Sequence, residues 1–516
     1  MHNAGQKLLL AFEGSEPSQE IVSALQEFRL GGLILFRHSN IVNPPQVREL
    51  TGSLQRFAKD FNLPPLIIAA DQEGGQLIAI ADGTTQLPGN MAIGAADSTE
   101  LARKAGAVLG RELAAMGVNV DFAPVCDINI NPQNPVIGIR SFGENPEMVA
   151  RLAAAMVEGI QSAGVAATAK HFPGHGDTEG DSHHGLFFVP HNLSRLQSVE
   201  FLPFQAAVNA GAKLVMTAHL ALPAIDGPEA PPATLSHNIL QGLLREELGF
   251  DGLIITDALD MKAISQEFRM GEAAVSSSSA GADLLLLSAD QQDPRSVYEE
   301  MVEAAQIGKL DLDAITASFK RITSLKNWLA RQPRPDLDVV GCIEHQSVAN
   351  EIAERSMTLV RNNRGLLPLS LNPEQRLAVI VPEPVDLTPA DTSSYIKLNL
   401  AKAIQNYHPD VDEYVISYEP SEVGIAEIIS NIKKYDLLII GTLNAYASPN
   451  QAAFVRQALK LEIPTVVAAL RLPYDLIAFP EADTYVCTYS ILEPSIIALA
   501  KALFGEIEFK GRLPVS

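Results

Sequence analysis

Residues Pro146–Asp177 read PEMVARLAAAMVEGIQSAGVAATAKHFPGHGD. From Pro146 to Gly164 the apolar residues recur at helical spacing, and the pattern ends at glycine, a common helix stop. Gly164–Ala169 (GVAATA) is then continuously small and apolar, as a strand covered on both faces is in a parallel sheet. Where that run stops, Lys170 and His171 open a polar loop. The stretch is therefore a helix, a buried strand and a cluster of ionisable groups at the strand's C-terminal end.

Seven further runs of the same kind occur in the first part of the chain. They are Lys7–Phe12 (KLLLAF), Gly31–Phe36 (GGLILF), Pro65–Ala70 (PLIIAA), Val118–Phe122 (VNVDF), Ala212–Thr217 (AKLVMT), Gly252–Thr256 (GLIIT) and Ala282–Ser288 (ADLLLLS). Helix-length patterns such as TELARKAGAVLGRELAAMG separate them. Strands alternating with helices predict an α/β fold, and this repeat predicts a (β/α)8 TIM barrel. Beyond a helix ending near Trp328–Leu329, the Pro- and charge-rich RQPRPDLDVVG predicts a linker over 332–346. The alternation resumes in Leu377–Val381, Tyr414–Ser417, Leu437–Gly441, Thr465–Ala469 and Thr484–Thr488, which predicts a smaller three-layer α/β/α sandwich. The expected organisation is a catalytic barrel over 1–331, the linker, and a sandwich over 347–516. A chain of 516 residues exceeds one ordinary domain, and a barrel alone absorbs about 250 residues or more.

Apolar residues make up 47% of the chain and charged residues 19%, which excludes a disordered chain, a collagen-like fibre and a coiled coil. The net charge of −23 repels phosphate backbones and anionic lipid, so neither nucleic acid nor a membrane is an expected partner. Cys126, Cys342 and Cys487 lie far apart with no C-x-x-C spacing, so neither a zinc knuckle nor a disulfide framework is expected. The apolar runs fall short of the about 18 residues a transmembrane helix needs. The run near Leu8–Phe12 is shorter than the about 7–15 residues of a signal-peptide core, so a cytoplasmic location is expected.

In a barrel, chemistry belongs at the C-terminal strand ends. The third run leads into Asp71-Gln72-Glu73-Gly74-Gly75, the fourth to Asp121 and Asp127, and the fifth to Lys170-His171. The sixth reaches His219 and the seventh Asp257. A carboxylate at Asp257 can attack an electrophilic carbon or carry a proton. Asp also fills helix N-caps well, and for Asp260 that is the expected role. Lys170–His184 (KHFPGHGDTEGDSHH) holds four histidines and three acids. His171 and His175 at i, i+4, with His183, would suit zinc on a helix, but Pro173, Gly174 and Gly176 oppose that helix, so no metal site is expected. In Asp181-Ser182-His183 the acid can hold the imidazole's tautomer and raise its basicity. His175, His184 and His191 are expected to be structural. Phosphate-cradling Gly loops and a G-x-S-x-G elbow are absent.

KHFPGHGDT followed by DSH, with DQEGG, NPVIGIRSFG and GLIITDALDM in this chain, resembles glycoside hydrolase family 3, in its β-N-acetylhexosaminidase branch. The likeness continues through Glu354–Val360 (ERSMTLV) and Gly511–Val515 (GRLPV). It implies a retaining exo-β-N-acetylglucosaminidase that acts through a covalent glycosyl–aspartate, without a cofactor, on cell-wall fragments such as peptidoglycan or on chitooligosaccharides. By the resemblance Asp257 is the nucleophile, His183 the general acid/base and Asp181 its dyad partner. Asp71, Arg140, Lys170 and His171 bind the sugar's hydroxyls and acetamido group. An imidazole donor beside an anionic nucleophile avoids the mutual repulsion of two carboxylates.

The sequence departs from the family pattern after Gly75. Arginines usual there are replaced by Gln76-Leu77-Ile78-Ala79-Ile80, which implies that another residue supplies the contact or that the preferred sugar differs. The second domain offers no matched catalytic residue. Three other readings use the same features: a phosphorylase with phosphate as acceptor, a non-catalytic glycan-binding barrel, and a metal-dependent aldolase-type barrel. Sequence leaves the leaving group and the oligomeric state open. The loops Gln133–Pro146 and Pro223–Pro232 are candidates for the pocket wall or a subunit contact.

Overall fold

The computed structural model describes residues 4–181, 185–288 and 294–516. Eight short strands form one parallel sheet in the first domain: β1 (Leu8–Leu10), β2 (Gly32–Ile34), β3 (Ile67–Ala70), β4 (Val120–Asp121), β5 (Ala166–Phe172), β6 (Leu214–Thr217), β7 (Leu253–Thr256) and β8 (Leu285–Leu287). Their spatial order is β7-β6-β5-β4-β3-β2-β1-β8. A bridge between Ile255 and Leu284 joins the two ends, so the sheet closes into the expected barrel.

Side-chain alternation explains the continuous apolar runs. Leu9, Ile34, Ile67, Ala69 and Met216 point into the barrel, with Phe122 and Leu286. Leu8, Leu10, Leu33 and Ile68 point outward into the layer packed by helices. Both faces are dry, so charged residues are held back to the strands' C-terminal ends, as Lys170 and His171 are in β5. Gly32 is required where it stands, since a Cβ there would lie 2.3 Å from the carbonyl oxygen of Ile67. The helix Leu312–Leu329 stops the bottom of the barrel with Phe319, Ile322, Leu325 and Trp328.

The chain then crosses the barrel surface, where Glu112 accepts from Gly341 N–H at 3.0 Å and pairs with His345 Nδ1 at 2.8 Å. Helix Ile343–Ser356 places Ala349 and Ile352 in the core shared with the barrel, and Ala353 in that of the second domain. The second domain has six strands: β9 (Thr358–Asn362), β10 (Leu377–Pro382), β11 (Val411–Ile416), β12 (Leu437–Thr442), β13 (Thr465–Ala469) and β14 (Thr484–Cys487). Their order is β9-β14-β13-β12-β10-β11. All neighbours are parallel except β9, which runs antiparallel to β14. The sequence pattern missed β9 because it is an edge strand, half-exposed and broken by Arg361. Similarly, β11 starts before Tyr414, since Asp412 and Glu413 face solvent on the opposite edge. Among the described residues no helix is long and apolar enough to cross a membrane.

Candidate active site

A cavity of ≈ 540 Å³ opens at the C-terminal ends of the barrel strands. It is lined by Asp71, Arg140, Lys170, His171 and Asp257, which brings five of the expected site residues together. Asp257 follows β7 directly. Its N–H donates to Thr217 O at 3.2 Å and its Oδ1 accepts from Ala258 N–H at 2.8 Å, which fixes the half-buried carboxylate at the cavity floor. His219 supports this turn from β6. Its ring nitrogens lie 2.8 Å from Thr234 Oγ1 and 2.9 Å from Ala258 O, so the imidazole holds the backbone beside Asp257 and is a positioning group.

The opposite wall is a buried charge network. Lys170 Nζ lies 2.6 Å from Asp71 Oδ1 and 2.7 Å from Glu73 Oε1. Arg140 grips the same Glu73 with two bonds, Nε to Oε2 at 3.0 Å and Nη2 to Oε1 at 2.8 Å. Burial would push the Glu73 carboxyl up, but the Arg140 and Lys170 charges outweigh it and hold the pKa at about 2. Burial likewise pulls Lys170 down, while Asp71 and Glu73 overcome it and leave the amine above its ordinary value. Both cations thus stay charged, held rigidly at the cavity wall. Glu73 belongs to the DQEGG stretch, but its role depends on Arg140, 67 positions away.

Arg140 owes its place to the loop before it. The Asn134 side chain accepts from the N–H groups of Val136 and Ile137 at 3.0 and 2.8 Å, a local turn that asparagine favours. Its amide also donates to His175 O at 2.8 Å, tying this loop to the segment after β5. Val136 O then accepts from Arg140 Nη1 at 3.1 Å. Of the two loops named from the sequence, Gln133–Pro146 contributes Val136 and Ile137 to the cavity wall, and none of Pro223–Pro232 lines it.

Asp127, fully buried, accepts from His171 N–H at 3.2 Å, from His175 N–H at 2.7 Å, and pairs with His171 Nδ1 at 2.7 Å. Burial acts to raise its pKa, but His171 and the remaining donors prevail and lower it. On its other side the His171 ring places Nε2 3.5 Å from Arg140 Nη2. His175, expected to be structural, also lines the cavity; it is buried, pairs with Thr178 Oγ1 at 2.7 Å, and is pushed down by burial to about 4. Asp121 lies outside the cavity lining; burial raises its pKa well above the ordinary range, and it accepts from Gln72 N–H at 3.1 Å.

Asp181 is buried, 4% exposed, close enough to His175 to act on its charge state. His183 and His184 lie outside the described residues. Asp260 is not a helix cap, because the next helix starts at Lys262 behind Met261 with no side-chain cap. Its carboxylate instead accepts from Ser288 N–H at 3.2 Å and from the Ser288 hydroxyl, joining the ends of β7 and β8.

The second domain also reaches the cavity, through Pro389, Ala390 and Thr392. Thr392 donates to Gln76 O through both its N–H and Oγ1, each at 2.8 Å, and accepts from Ile78 N–H at 3.3 Å. The Gln76 side chain turns away from the cavity, to Ala390 O at 3.1 Å and to Arg471, whose charge is paired with Asp391 at 2.8 Å. The stretch that lacks arginines is therefore moulded by the second domain, and it presents Leu77 and Ala79 to the cavity.

Among the described residues, Asp177, His191 and Glu200 form one cluster with metal-ligand chemistry. Arg195 already occupies it, 3.1 Å from Glu200 and 3.8 Å from Asp177, and His191 Nε2 pairs with Asp177 at 2.7 Å. His171 and His175 both line the cavity with ring centroids 6.3 Å apart, edge to face; after β5 the chain turns without forming a helix, and the rings are held by Asp127 and Thr178 respectively.

The family model described as "Glycosyl hydrolase family 3 N terminal domain" matches residues 3–325. Beta-hexosaminidase A of Pseudoalteromonas piscicida is 32% identical over 99% of this chain and 96% of its own length. The Beta-N-acetylglucosaminidase/beta-glucosidase of Cellulomonas fimi is 29% identical over 87% of this chain and 83% of its own. The solved structure of a glycoside hydrolase family 3 beta-N-acetylglucosaminidase from Paenibacillus sp. str. FPU-7 superposes with a TM-score of 0.94 at 39% identity, covering 100% of this chain and 98% of that one.

Proposed function

This chain belongs to glycosyl hydrolase family 3 and is a glycosidase; from that premise we propose that it removes terminal β-linked N-acetylglucosamine from glycans with retention of anomeric configuration. The observation that carries the reading is the single cavity shared by the Asp257 carboxylate and the Asp71–Lys170–Glu73–Arg140 network. The names beta-hexosaminidase A, of the Pseudoalteromonas piscicida relative, and beta-N-acetylglucosaminidase, of the Paenibacillus structure, support the choice of sugar; the Cellulomonas fimi relative's name adds beta-glucosidase.

In this mechanism the sugar's hydroxyl and acetamido groups bond to Asp71, Lys170, Arg140 and His171. The Asp257 carboxylate attacks the anomeric carbon, forming a glycosyl–aspartate as the bond to the leaving oxygen breaks. His183 gives that oxygen its proton, with Asp181 stabilising the imidazole. It then takes a proton from water, whose oxygen displaces Asp257 and releases a sugar of the starting configuration. Fixed charges on the network need no reorganisation as positive charge develops on the ring. The substrates proposed are cell-wall fragments or chitooligosaccharides.

Hydrolysis of p-nitrophenyl β-N-acetylglucosaminide, run beside the β-glucoside in phosphate-free buffer, tests the reading. Wild type is expected to prefer the acetamido sugar and to release its β-anomer first. Asp257→Ala and His183→Ala are expected to lose turnover while staying folded. Intact turnover in Asp257→Ala, or α-anomer as first product, refutes the mechanism; preference for the plain glucoside refutes the substrate.

A further inference from the structure

The cavity has a second guanidinium, Arg37, and its surroundings differ in kind from those of Arg140. Arg37 follows β2 and opens the one-turn helix Arg37–Asn40. Its side chain is 14% exposed, and Nε is buried with no hydrogen-bond partner. The paired carboxylate is Asp82, at 4.0 Å and itself 78% exposed, beyond hydrogen-bond length and largely in water. Glu13 also lines the cavity, but its carboxylate accepts from Ser39 Oγ at 2.7 Å. Arg140 and Lys170, by contrast, are each closed onto Glu73 at under 3 Å. Nε is sealed off from the cavity, so a ligand there would meet the Nη groups, and arginine's planar fork suits vicinal oxygens.

The second domain sets the orientation of this fork. The guanidinium carbon sits 4.1 Å from the centre of the Tyr395 ring, a cation–π contact that holds the group from the face of that ring. Tyr395 closes the turn Ser393–Tyr395, and that turn is held by Arg471 Nη1 to Ser393 Oγ at 2.9 Å and Ser393 N–H to Asp391 at 2.9 Å.

We propose that Arg37 is a substrate-binding residue that donates to hydroxyl groups of the sugar ring held in the cavity, with Tyr395 of the second domain as its positioning residue. The inference rests on the glycosidase reading above. It gives the barrel a guanidinium contact on the side where Leu77 and Ala79 offer none.

The test uses the full chain with Arg37→Met and Arg37→Lys, the latter keeping the charge without the fork, and Tyr395→Leu. For p-nitrophenyl β-N-acetylglucosaminide, Arg37→Met is expected to lower kcat/KM by about 10- to 100-fold, mostly through KM. Arg37→Lys is expected to rescue little of the loss. Tyr395→Leu should lie between wild type and Arg37→Met. The fall should be equal on N,N′-diacetylchitobiose, which shares the ring in the cavity, and should shrink on the 4-deoxy or the 6-deoxy aryl glycoside, whichever lacks the bonded hydroxyl. Unchanged kcat/KM in Arg37→Met refutes the proposal, as does a loss confined to the disaccharide, which would place Arg37 on the leaving group. Calorimetric binding of free N-acetylglucosamine, weakened in Arg37→Met, reads the same contact without turnover. If wild type binds that sugar but does not hydrolyse the aryl glycoside, the enzymatic reading fails and the Arg37 contact is judged by binding alone; equal binding in both proteins overturns it.

Discussion

Replacing Glu73 by Gln tests the buried network most directly. The carboxylate is 3% exposed and takes two bonds from Arg140 and one from Lys170. Holding its pKa at about 2 instead of the ordinary 4.5 corresponds to about 3 kcal/mol of folded-state preference for the charged form. Breaking a buried ion pair from one side costs about 3–5 kcal/mol, which agrees. Because the folded-state pKa is depressed, this stability is complete above pH 4.5 and is lost as pH falls from 4.5 through about 2. Glu73→Gln is therefore expected to destabilise the barrel by about 3 kcal/mol at pH 7. It should also lower kcat/KM about 100-fold, because Arg140 and Lys170 lose their shared anchor. Thermal or urea unfolding at pH 7 and at pH 3, with aryl-glycoside kinetics at pH 7, measures both. The gap between wild type and variant should narrow at the lower pH. A gap below about 1 kcal/mol at pH 7, or one of equal size at both pH values, would refute the ion-pair account.

Asp127→Asn keeps one acceptor oxygen and turns an NH2 donor toward either His171 Nδ1 or the His175 N–H, which should lower kcat/KM by about 100-fold or more in aryl-glycoside assays; a change under tenfold would make Asp127 structural only. Arg471→Met strands the buried Asp391 carboxylate and releases Gln76, so it should cost about 3–5 kcal/mol in urea unfolding and raise KM more than it lowers kcat. Lys326, buried under the barrel with Nζ 2.7 Å from Gln6 Oε1, is pushed down by burial to about 7. The unfolded chain binds more protons between pH 7 and the ordinary 10.5, so stability should rise with pH across that window. Lys326→Met should flatten the rise and stabilise the protein by about 2 kcal/mol at pH 7; an unchanged slope in Tm against pH would count against it.

The barrel strands were legible because both faces of each are buried, which leaves an apolar run that any ionisable residue terminates. That rule alone marked Asp71, Lys170, His171 and Asp257. It was blind to Arg140, which sits in a loop with no periodic pattern and came into view only through the likeness of NPVIGIRSFG to a known family. Glu73 was visible as a residue but not as a hub, since its partners Arg140 and Lys170 are brought to it by tertiary packing. Asp260 shows the converse: position near a helix start suggested a cap, and a cross-strand bond to Ser288 took the carboxylate instead. The contribution of residues 389–395 could not be read from the chain at all, because irregular segments carry no face and the docking of two domains leaves no local signal.

The bonds from Thr392 to Gln76 and Ile78 bear on how such an enzyme can be recombined. A hybrid carrying this barrel on another sandwich would retain Asp257 and every side chain around Glu73, yet it would inherit a different template for residues 76–81 and a different neighbour for Arg37. Its turnover chemistry should survive while its taste in sugars drifts. Natural variation in the second domain is then exposed to selection on substrate choice, although it supplies none of the proposed catalytic residues, and the two halves of this chain are expected to change together.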